Sequence, residues 1–261
     1  RRLSDVVGQP KAVQDIAVWA NGWKRGKPSK PAVLLYGPAG TGKSAAAAAI
    51  AREFGWDFVE MNASDKRTLA EIKRVAGAAA TAGTLLAGAG GRRLVVLDEA
   101  DNIHGTADRG GYRALQELVN ETQNPLVLIA NDQYDIPWEI RAACVRVNFR
   151  RLADDVIVKE LQRICRAEGV TAEPQALNAI AETARGDMRS AINDLQTLTL
   201  GKKRMVVKDL LLYRRDRKPD VYDFLTRLLS VDKAKDARTL LWGLDLPPDD
   251  ALAWIAENVP R

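Results

Sequence analysis

The strongest chemical pattern in this sequence is a glycine-rich loop that ends in a lysine and a serine. Between an apolar run and an alanine-rich segment, it reads Gly37, Pro38, Ala39, Gly40, Thr41, Gly42, Lys43, Ser44. Glycines let the backbone N–H groups of such a loop curl around phosphate oxygens at a helix N-terminus, where unpaired donors and the helix dipole favour anions. Lys43 is predicted to reach the β and γ phosphates, and Ser44 to ligate Mg²⁺. The pattern predicts a nucleoside triphosphate as the ligand.

A second pattern places carboxylates at the end of an apolar run. Leu94–Leu97 is followed by Asp98, Glu99 and Asp101. At the carboxyl end of a buried strand beside the phosphate loop, Asp98 is predicted to hold Mg²⁺ through water and Glu99 to polarise the attacking water as general base. An ordinary acidic turn would have the same composition. The phosphate loop earlier in the chain favours the catalytic interpretation.

Two further polar residues stand where a phosphate site would use them. Asn131 directly follows the apolar run Leu126–Ala130, so a buried strand would deliver its amide to the same sheet edge, able to orient the lytic water. Arg189 opens a helical segment and could reach the γ phosphate from there. A surface salt bridge is the alternative role for Arg189, and the sequence pattern leaves both open.

The segments that must position these residues are of two alternating kinds, distinguished by the spacing of their apolar residues. Short apolar runs, which indicate strands, alternate with segments of helical period, and this is typical of an α/β fold. Because the runs lack polar alternation, we expect a mainly parallel sheet that is covered by helices on both faces. The predicted strands are Val33–Tyr36, Phe58–Asn62, Leu94–Leu97, Leu126–Ala130 and Val145–Phe149.

Beyond the last predicted strand the chain becomes helical. A helix is predicted from Ala153 to a cap at Gly169, with one face formed by Val156, Ile157, Leu161 and Ile164. Two more helices are predicted over 174–184 and 187–198. We therefore expect a nucleotide-binding core over 1–150, a helical lid domain over 151–212 and a partial helical domain over 213–261. Because that last segment corresponds to only part of a domain, we expect the natural chain to continue.

Composition narrows the function classes. The 261 residues are 46% hydrophobic and 28% charged, which indicates a globular protein rather than a disordered or fibrous one. No apolar run is long enough for a membrane span and the first residues lack a signal-peptide pattern, so we expect a cytoplasmic protein without a membrane partner. Cys144 and Cys165 are too far apart to suggest a zinc site, and we expect both to be buried.

The net charge of +5 is concentrated in one window. Residues 201–220 contain eight lysines and arginines against three aspartates. This window is either an electrostatic patch for nucleic acid or a solvated connection between domains, and charge alone does not decide between them.

Together these motifs resemble the AAA+ ATPases of the clamp-loader clade. More specific strings resemble the family of archaeal replication factor C large subunits: Val7-Gly8-Gln9, Met61-Asn62-Ala63-Ser64-Asp65, Asp98-Glu99-Ala100-Asp101-Asn102-Ile103 and Ala107-Asp108-Arg109-Gly110-Gly111. The resemblance implies an AAA+ P-loop core with a parallel sheet, a small helical lid and the start of a helical collar. It also implies ATP and Mg²⁺ as cofactors, small subunits as partners in a five-membered spiral, and a sliding clamp that is closed around primer–template DNA. For an archaeal protein, localisation at the nucleoid would follow.

The resemblance also implies individual roles. Val6, Val7 and Gly8 would line the adenine pocket, Asn131 would be the first sensor of the nucleotide, and Arg189 the second. Arg67 and Lys73 match positions that contact the DNA backbone. Small subunits carry an arginine finger where this chain has Ala143, so we expect this subunit to occupy an end position and to receive an arginine from a neighbour.

Two other functions remain open at this point. A self-sufficient AAA+ motor for branch migration or replication-fork maintenance would hydrolyse ATP in a ring of its own. A scaffold subunit would bind ATP to order the assembly without needing turnover.

Overall fold

The computed structural model describes residues 2–63, 92–102 and 109–207, with the side chains of 109 and 110 excepted. Its strands are β1 (Ala32–Tyr36), β2 (Asp57–Asn62), β3 (Arg93–Asp98), β4 (Leu126–Ala130), β5 (Cys144–Asn148), β6 (Thr171–Ala172) and β7 (Arg204–Met205). Its α-helices are α1 (Pro10–Gly22), α2 (Lys43–Phe54), α3 (Arg109–Glu121), α4 (Trp138–Ala143), α5 (Asp154–Ala167), α6 (Pro174–Ala184) and α7 (Met188–Thr199). Short 3₁₀ turns occupy Leu3–Asp5, Trp23–Arg25 and Ala100–Asn102. In this part of the chain no helix is long and apolar enough to cross a membrane.

Five of the strands form one parallel sheet in the order β2-β3-β4-β1-β5. The parallel α/β architecture predicted from the sequence is thereby confirmed, and each predicted strand is displaced by at most one residue at either end. The central strands β1, β3 and β4 are buried along nearly their whole length, whereas the edge strand β2 alternates between exposed and half-buried residues. Because all five strands run the same way, their carboxyl ends meet at one edge of the sheet.

Two apolar layers cover the sheet, one on each face. On one face, the strand residues Leu34 and Leu128 pack with Leu115 of α3 and Ile140 of α4. On the other face, the alternate strand residues pack with α1 and α2. The alanine-rich start of α2 buries Ala46, Ala47 and Ala49 there, and their small side chains let the helix approach the sheet closely. This anchors the helix that follows the phosphate loop.

Helix α5 buries one apolar face, as its sequence predicts. Ile157, Leu161 and Cys165, spaced by four residues, are the buried positions, while Val156 and Ile164 are half-buried. The buried face of α5 thus includes Cys165 rather than the predicted Ile164, because residues four apart lie on the same side of a helix. The chain leaves the helix through Gly169, which adopts a left-handed conformation (φ 66°), as expected for a cap.

Both cysteines are buried, which confirms the expectation for each. Burial raises the pKa of the Cys144 thiol to about 12 and raises the pKa of Cys165 as well. Both groups are therefore protonated and unreactive at neutral pH, since the thiolate is the nucleophile.

The chain divides into two compact units. The larger contains Arg1–Gly169 and Leu177–Thr197, and the smaller contains Val170–Ala176 with the residues from Leu198 onward. In the smaller unit, β6 and β7 pair in parallel, and the Thr171 N–H donates to the Lys203 carbonyl at 2.9 Å. The domain boundaries expected from the sequence remain predictions.

Candidate nucleotide-binding site

The glycine-rich loop connects β1 to α2, as its pattern predicts. Gly37 has φ 139° and Gly40 has φ 68°, both in the region that side-chain-bearing residues rarely adopt. At Gly37, a Cβ atom would lie 2.0 Å from the Phe149 carbonyl oxygen, so only glycine fits. The Thr41 hydroxyl ties the loop to itself by donating to the Pro38 carbonyl at 2.8 Å, and Ala39 is exposed at the tip. The loop is thus a closely wrapped turn at the N-terminus of α2.

Lys43, the first residue of α2, is buried inside this turn with 7% of its surface exposed. Its ammonium group donates to the carbonyl oxygens of Gly37 at 2.5 Å and Pro38 at 2.9 Å, and to Asn131 Oδ1 at 3.4 Å. Burial lowers the pKa of Lys43, while the nearby carboxylates of Asp98 and Asp101 act against that shift. The loop therefore holds a desolvated cation where phosphate oxygens would be bound.

The two predicted magnesium ligands contact each other. The Ser44 hydroxyl donates to Asp98 Oδ2 at 3.0 Å, and Asp98 Oδ1 accepts the Glu99 N–H at 2.8 Å. A hydroxyl and a carboxylate are hard oxygen donors, and Mg²⁺ is commonly held by one or two such groups together with waters and substrate phosphates. The pair therefore fits Mg²⁺ that arrives with a nucleotide.

Glu99, the candidate general base, has an unusual backbone. It is half-buried with φ 54°, a left-handed conformation that costs energy in a residue with a side chain. Its Oε2 atom accepts hydrogen bonds at 3.3 Å from the amide of Asn62, at the end of β2, and at 3.3 Å from that of Asn102. Two amides thus orient this carboxylate beside Asp98.

Asn131, the predicted sensor, lies at the same edge of the sheet. Its side-chain oxygen faces the Lys43 ammonium, and its backbone N–H donates to Asp101 Oδ2 at 2.7 Å. The Asp132 N–H donates to the same Asp101 oxygen at 3.3 Å. Sequence reasoning assigned no role to Asp101, although its place as the third acid of the run Asp98, Glu99, Asp101 at the end of β3 was a usable signal.

The segment predicted to line the adenine pocket lies partly against the loop. Val6 Cγ1 is 3.6 Å from the position that a Cβ atom would take on Gly42. Val7 is half-buried, and Gly8 packs against Leu152 so closely that a Cβ atom would lie 2.5 Å from its side chain. The structure thus brings Val6 to the loop, and places Gly8 against the segment that leads into α5.

Gln9 is a second residue that sequence reasoning left without a role. It is 5% exposed, and its amide nitrogen donates to the carbonyls of Arg150 at 2.6 Å and Thr41 at 3.4 Å. Its Oε1 atom accepts the Arg150 N–H at 3.2 Å. One buried amide therefore ties the phosphate loop to the chain beyond β5, a role that the Val-Gly-Gln string could have suggested.

The start of α7 contacts the loop directly. The Met188 N–H donates to the Gly40 carbonyl at 3.0 Å, and the Asp187 carboxylate packs on Gly40 while accepting the Ser190 N–H at 2.9 Å. Arg189 is exposed at the second position of the helix, and its charge contributes to lowering the pKa of Lys43. Arg189 directly follows Met188, whose N–H bonds to the loop, so its backbone lies next to the loop.

Several predicted features fall beyond this description. The DNA-contact candidates Arg67 and Lys73 lie outside the described residues, as does the basic window from 208 onward. Ala143, which the resemblance places at the finger position, is the half-buried last residue of α4.

Two families match successive segments of the chain. The family described as "ATPase family associated with various cellular activities (AAA)" matches residues 33–154. The family described as "RCF1/5-like, AAA+ ATPase lid domain" matches residues 159–200. The first segment contains the loop, both magnesium-ligand candidates, Glu99 and Asn131, and the second contains Arg189.

Proteins named replication factor C large subunit are similar along the whole chain. The one from Methanosarcina mazei is 44% identical over 260 residues, which is 100% of this chain and 42% of that protein. The one from Methanosarcina acetivorans is 46% identical with the same coverage, and the one from Halobacterium salinarum is 44% identical over 99% of this chain and 54% of its own length. The chain spans about half the length of these relatives.

Solved structures agree on the fold. Two mutants of Thermotoga maritima RuvB align with TM-scores of 0.65 and 0.66 at 16% and 17% identity. The alignments cover 98% of this chain and 90% and 89% of those chains. At such low identity, the likeness concerns the fold alone. Residues 33–154, with the phosphate loop and the strand-end carboxylates, thus form an AAA-type ATPase domain that is followed by an AAA+ lid segment over 159–200, and along its full length the chain is similar to archaeal replication factor C large subunits.

Proposed function

We propose that this chain binds ATP with Mg²⁺ and hydrolyses it as the large-subunit part of a clamp loader, which opens a sliding clamp and loads it onto primer–template DNA. The observation that carries the nucleotide chemistry is the convergence of Lys43, Ser44, Asp98 and Asn131 at one sheet edge. What supports the clamp-loader role is identity of 44% to 46% with replication factor C large subunits over essentially the whole chain.

The roles follow from charge and position. The Lys43 ammonium would compensate the negative charge of the β and γ phosphates, at a buried site where water screens it little. Glu99 would accept the proton of the attacking water, and Asn131 would orient that water. Mg²⁺, held through Ser44 and Asp98, would neutralise charge that develops on the phosphate oxygens. Arg189 would add positive charge from the start of α7.

Hydrolysis by the isolated chain is expected to be slow. The transferring phosphoryl group calls for an arginine finger, which raises turnover by about 10³ to 10⁵ in related reactions. A small subunit would supply this finger to the ATP site of this chain. With Ala143 at its own finger position, the chain would not supply one in return, which suits a subunit at the end of the spiral.

DNA binding would be directed by structure rather than by sequence. Arg67 and Lys73 carry charges suited to backbone phosphates, and such contacts contain no base information. We expect affinity for primed DNA to fall steeply with salt, and to fall further when both residues are changed to glutamine.

The test is ATP hydrolysis by the purified chain, first alone and then with candidate small subunits, sliding clamp and primed DNA added in turn. We expect activity that rises only with the partners, and that Glu99→Gln abolishes while nucleotide binding is retained. Glu139→Gln, at an exposed acid on α4, is the matched control and should have no effect. Strong activity of the chain alone in a self-assembled ring would contradict the proposal. Unchanged clamp loading by an assembly carrying Glu99→Gln would show that hydrolysis at this site is dispensable.

A further inference from the structure

A buried carboxylate that has no assigned role lies beside the candidate catalytic residues. Asp101 has 3% of its surface exposed and belongs to the 3₁₀ turn Ala100–Asn102 that follows β3. A buried charge is costly unless hydrogen bonds or an opposite charge compensate it. The hydrogen bonds and charged neighbours of Asp101 therefore show how its burial is compensated.

The turn aims Asp101 at the neighbouring strand. Glu99 takes the left-handed conformation, and the Asn102 N–H closes the turn by donating to the Glu99 carbonyl at 2.9 Å. As a result Asp101 Oδ2 meets the first two N–H groups beyond β4, those of Asn131 at 2.7 Å and Asp132 at 3.3 Å. Hydrogen bonds to a carboxylate are shorter and stronger than neutral ones, so the backbone of Asn131 is firmly held.

The second oxygen of Asp101 distinguishes this arrangement from an ordinary strand cap. Oδ1 is buried and has no hydrogen-bond partner among the described residues. A neutral asparagine, serine or threonine would cap the strand end without leaving a charged oxygen that is buried and has no hydrogen-bond partner. The negative charge does act on Lys43, since it favours the ammonium form of that group against burial.

We propose that Asp101 is a positioning residue, which holds Asn131 in register with the Lys43 ammonium and thereby sets the geometry of ATP hydrolysis. This rests on the proposed function of the site. The path is short: Asp101 Oδ2 holds the backbone of Asn131, and Asn131 Oδ1 lies 3.4 Å from Lys43 Nζ. Asp101 acts through Asn131 and does not itself touch the nucleotide.

A matched control exists at the opposite end of the same strand. Thr122 is 1% exposed just before β4, where its hydroxyl donates to the Asn124 carbonyl at 2.7 Å and accepts the Asn124 N–H at 3.2 Å. Thr122→Ala therefore removes two hydrogen bonds of a buried polar residue, as Asp101→Ala does, at a point remote from the loop. Asp101→Asn retains an oxygen that can accept from Asn131 but removes the charge.

The first readout is kinetic, in the complete assembly with partner subunits and DNA. Asp101→Ala should lower kcat about tenfold while the Kd for ATP changes less than about threefold, because orientation rather than ground-state binding is lost. Thr122→Ala should leave kcat unchanged. In an Asn131→Ala background the Asp101→Ala loss should shrink to less than about twofold, since Asp101 acts through the Asn131 side chain, which is already absent there. Equal losses in both backgrounds, or an equal loss in Thr122→Ala, would overturn the inference.

The second readout needs no catalysis. In the isolated chain, amide hydrogen exchange at Asn131 and Asp132 should be at least about tenfold faster in Asp101→Ala than in wild type, with Asp101→Asn between them. Unchanged exchange in Asp101→Ala would refute the positioning role even if ATP is hydrolysed. Absence of ATP hydrolysis by the wild-type assembly would instead refute the proposed function, and the exchange data would still decide whether Asp101 holds Asn131.

Discussion

Replacing Gly40 with alanine is expected to loosen the start of α7 from the phosphate loop. Gly40 has φ 68°, and a Cβ atom added there would lie 1.7 Å from Asp187 Oδ1. That oxygen caps α7 by accepting the Ser190 N–H at 2.9 Å, while the Gly40 carbonyl accepts the Met188 N–H at 3.0 Å. The new methyl group must therefore displace the Asp187 cap and, with it, break the hydrogen bond between the Met188 N–H and the Gly40 carbonyl.

The loss of folding stability expected for Gly40→Ala has three parts. The left-handed conformation costs alanine about 1–2 kcal/mol. Loss of the Asp187 cap costs about 1 kcal/mol, and loss of the Met188 hydrogen bond costs about 1 kcal/mol more. We expect Gly40→Ala to lower the free energy of unfolding by about 3–4 kcal/mol.

A second glycine in the left-handed conformation separates the conformational cost of the alanine from the cost of losing the contacts with α7. Gly55 has φ 63°, and among the described residues a Cβ atom there would meet no atom within 4 Å, so Gly55→Ala should cost only the conformational term of about 1–2 kcal/mol. The difference of about 2 kcal/mol predicts a melting temperature roughly 4–8 °C lower for Gly40→Ala than for Gly55→Ala. Thermal unfolding followed by circular dichroism measures both.

A double-mutant cycle tests the assigned contact. Asp187→Ala should cost about 1 kcal/mol in the wild-type chain but almost nothing in Gly40→Ala, because the cap is already lost there. Equal melting temperatures for Gly40→Ala and Gly55→Ala, or strictly additive effects of Gly40→Ala and Asp187→Ala, would refute this account of the packing.

Three further changes probe the site and the core. Lys43→Met should weaken ATP binding at least about a hundredfold in titration calorimetry, since it removes the buried ammonium from the phosphate loop, whereas the exposed Lys159→Met should bind normally. Ser44→Ala should remove most of the Mg²⁺ dependence of ATP affinity, and an undiminished dependence would argue against the hydroxyl as a ligand. Because burial raises the pKa of Cys144 from 9.0 to about 12, the unfolded chain loses the thiol proton first. The stability advantage of wild type over Cys144→Ala in urea unfolding should thus be full below pH 9 and fall by about 1.4 kcal/mol per pH unit as pH rises toward 12; a constant difference over that range would contradict the shift.

The strands and the phosphate loop could be predicted because their signals are local. Unbroken apolar runs such as Leu126–Ala130 are long enough only for a strand, and the observed β4 has the same bounds. The last core strand was predicted over Val145–Phe149, one residue later than the observed β5. Phe149 lies beyond the end of β5, although its N–H still donates to the Tyr36 carbonyl of the neighbouring strand at 2.8 Å. Apolar sequence alone does not mark the point at which a strand leaves its ladder.

Short-range chemistry, then, was determined by the sequence: a glycine-rich turn able to wrap phosphates, carboxylates at a strand end, and an amide after the next apolar run. The contacts of Gln9 and Asp101, and the packing of Asp187 on Gly40, were decided by the tertiary structure, since these partners are distant along the chain. Gln9 bonds to the Arg150 backbone, 141 residues away, and Asp101 to the N–H of Asn131, 30 residues away. Neither pairing leaves a periodicity or a spacing, because it depends on which strands become neighbours and where each one ends.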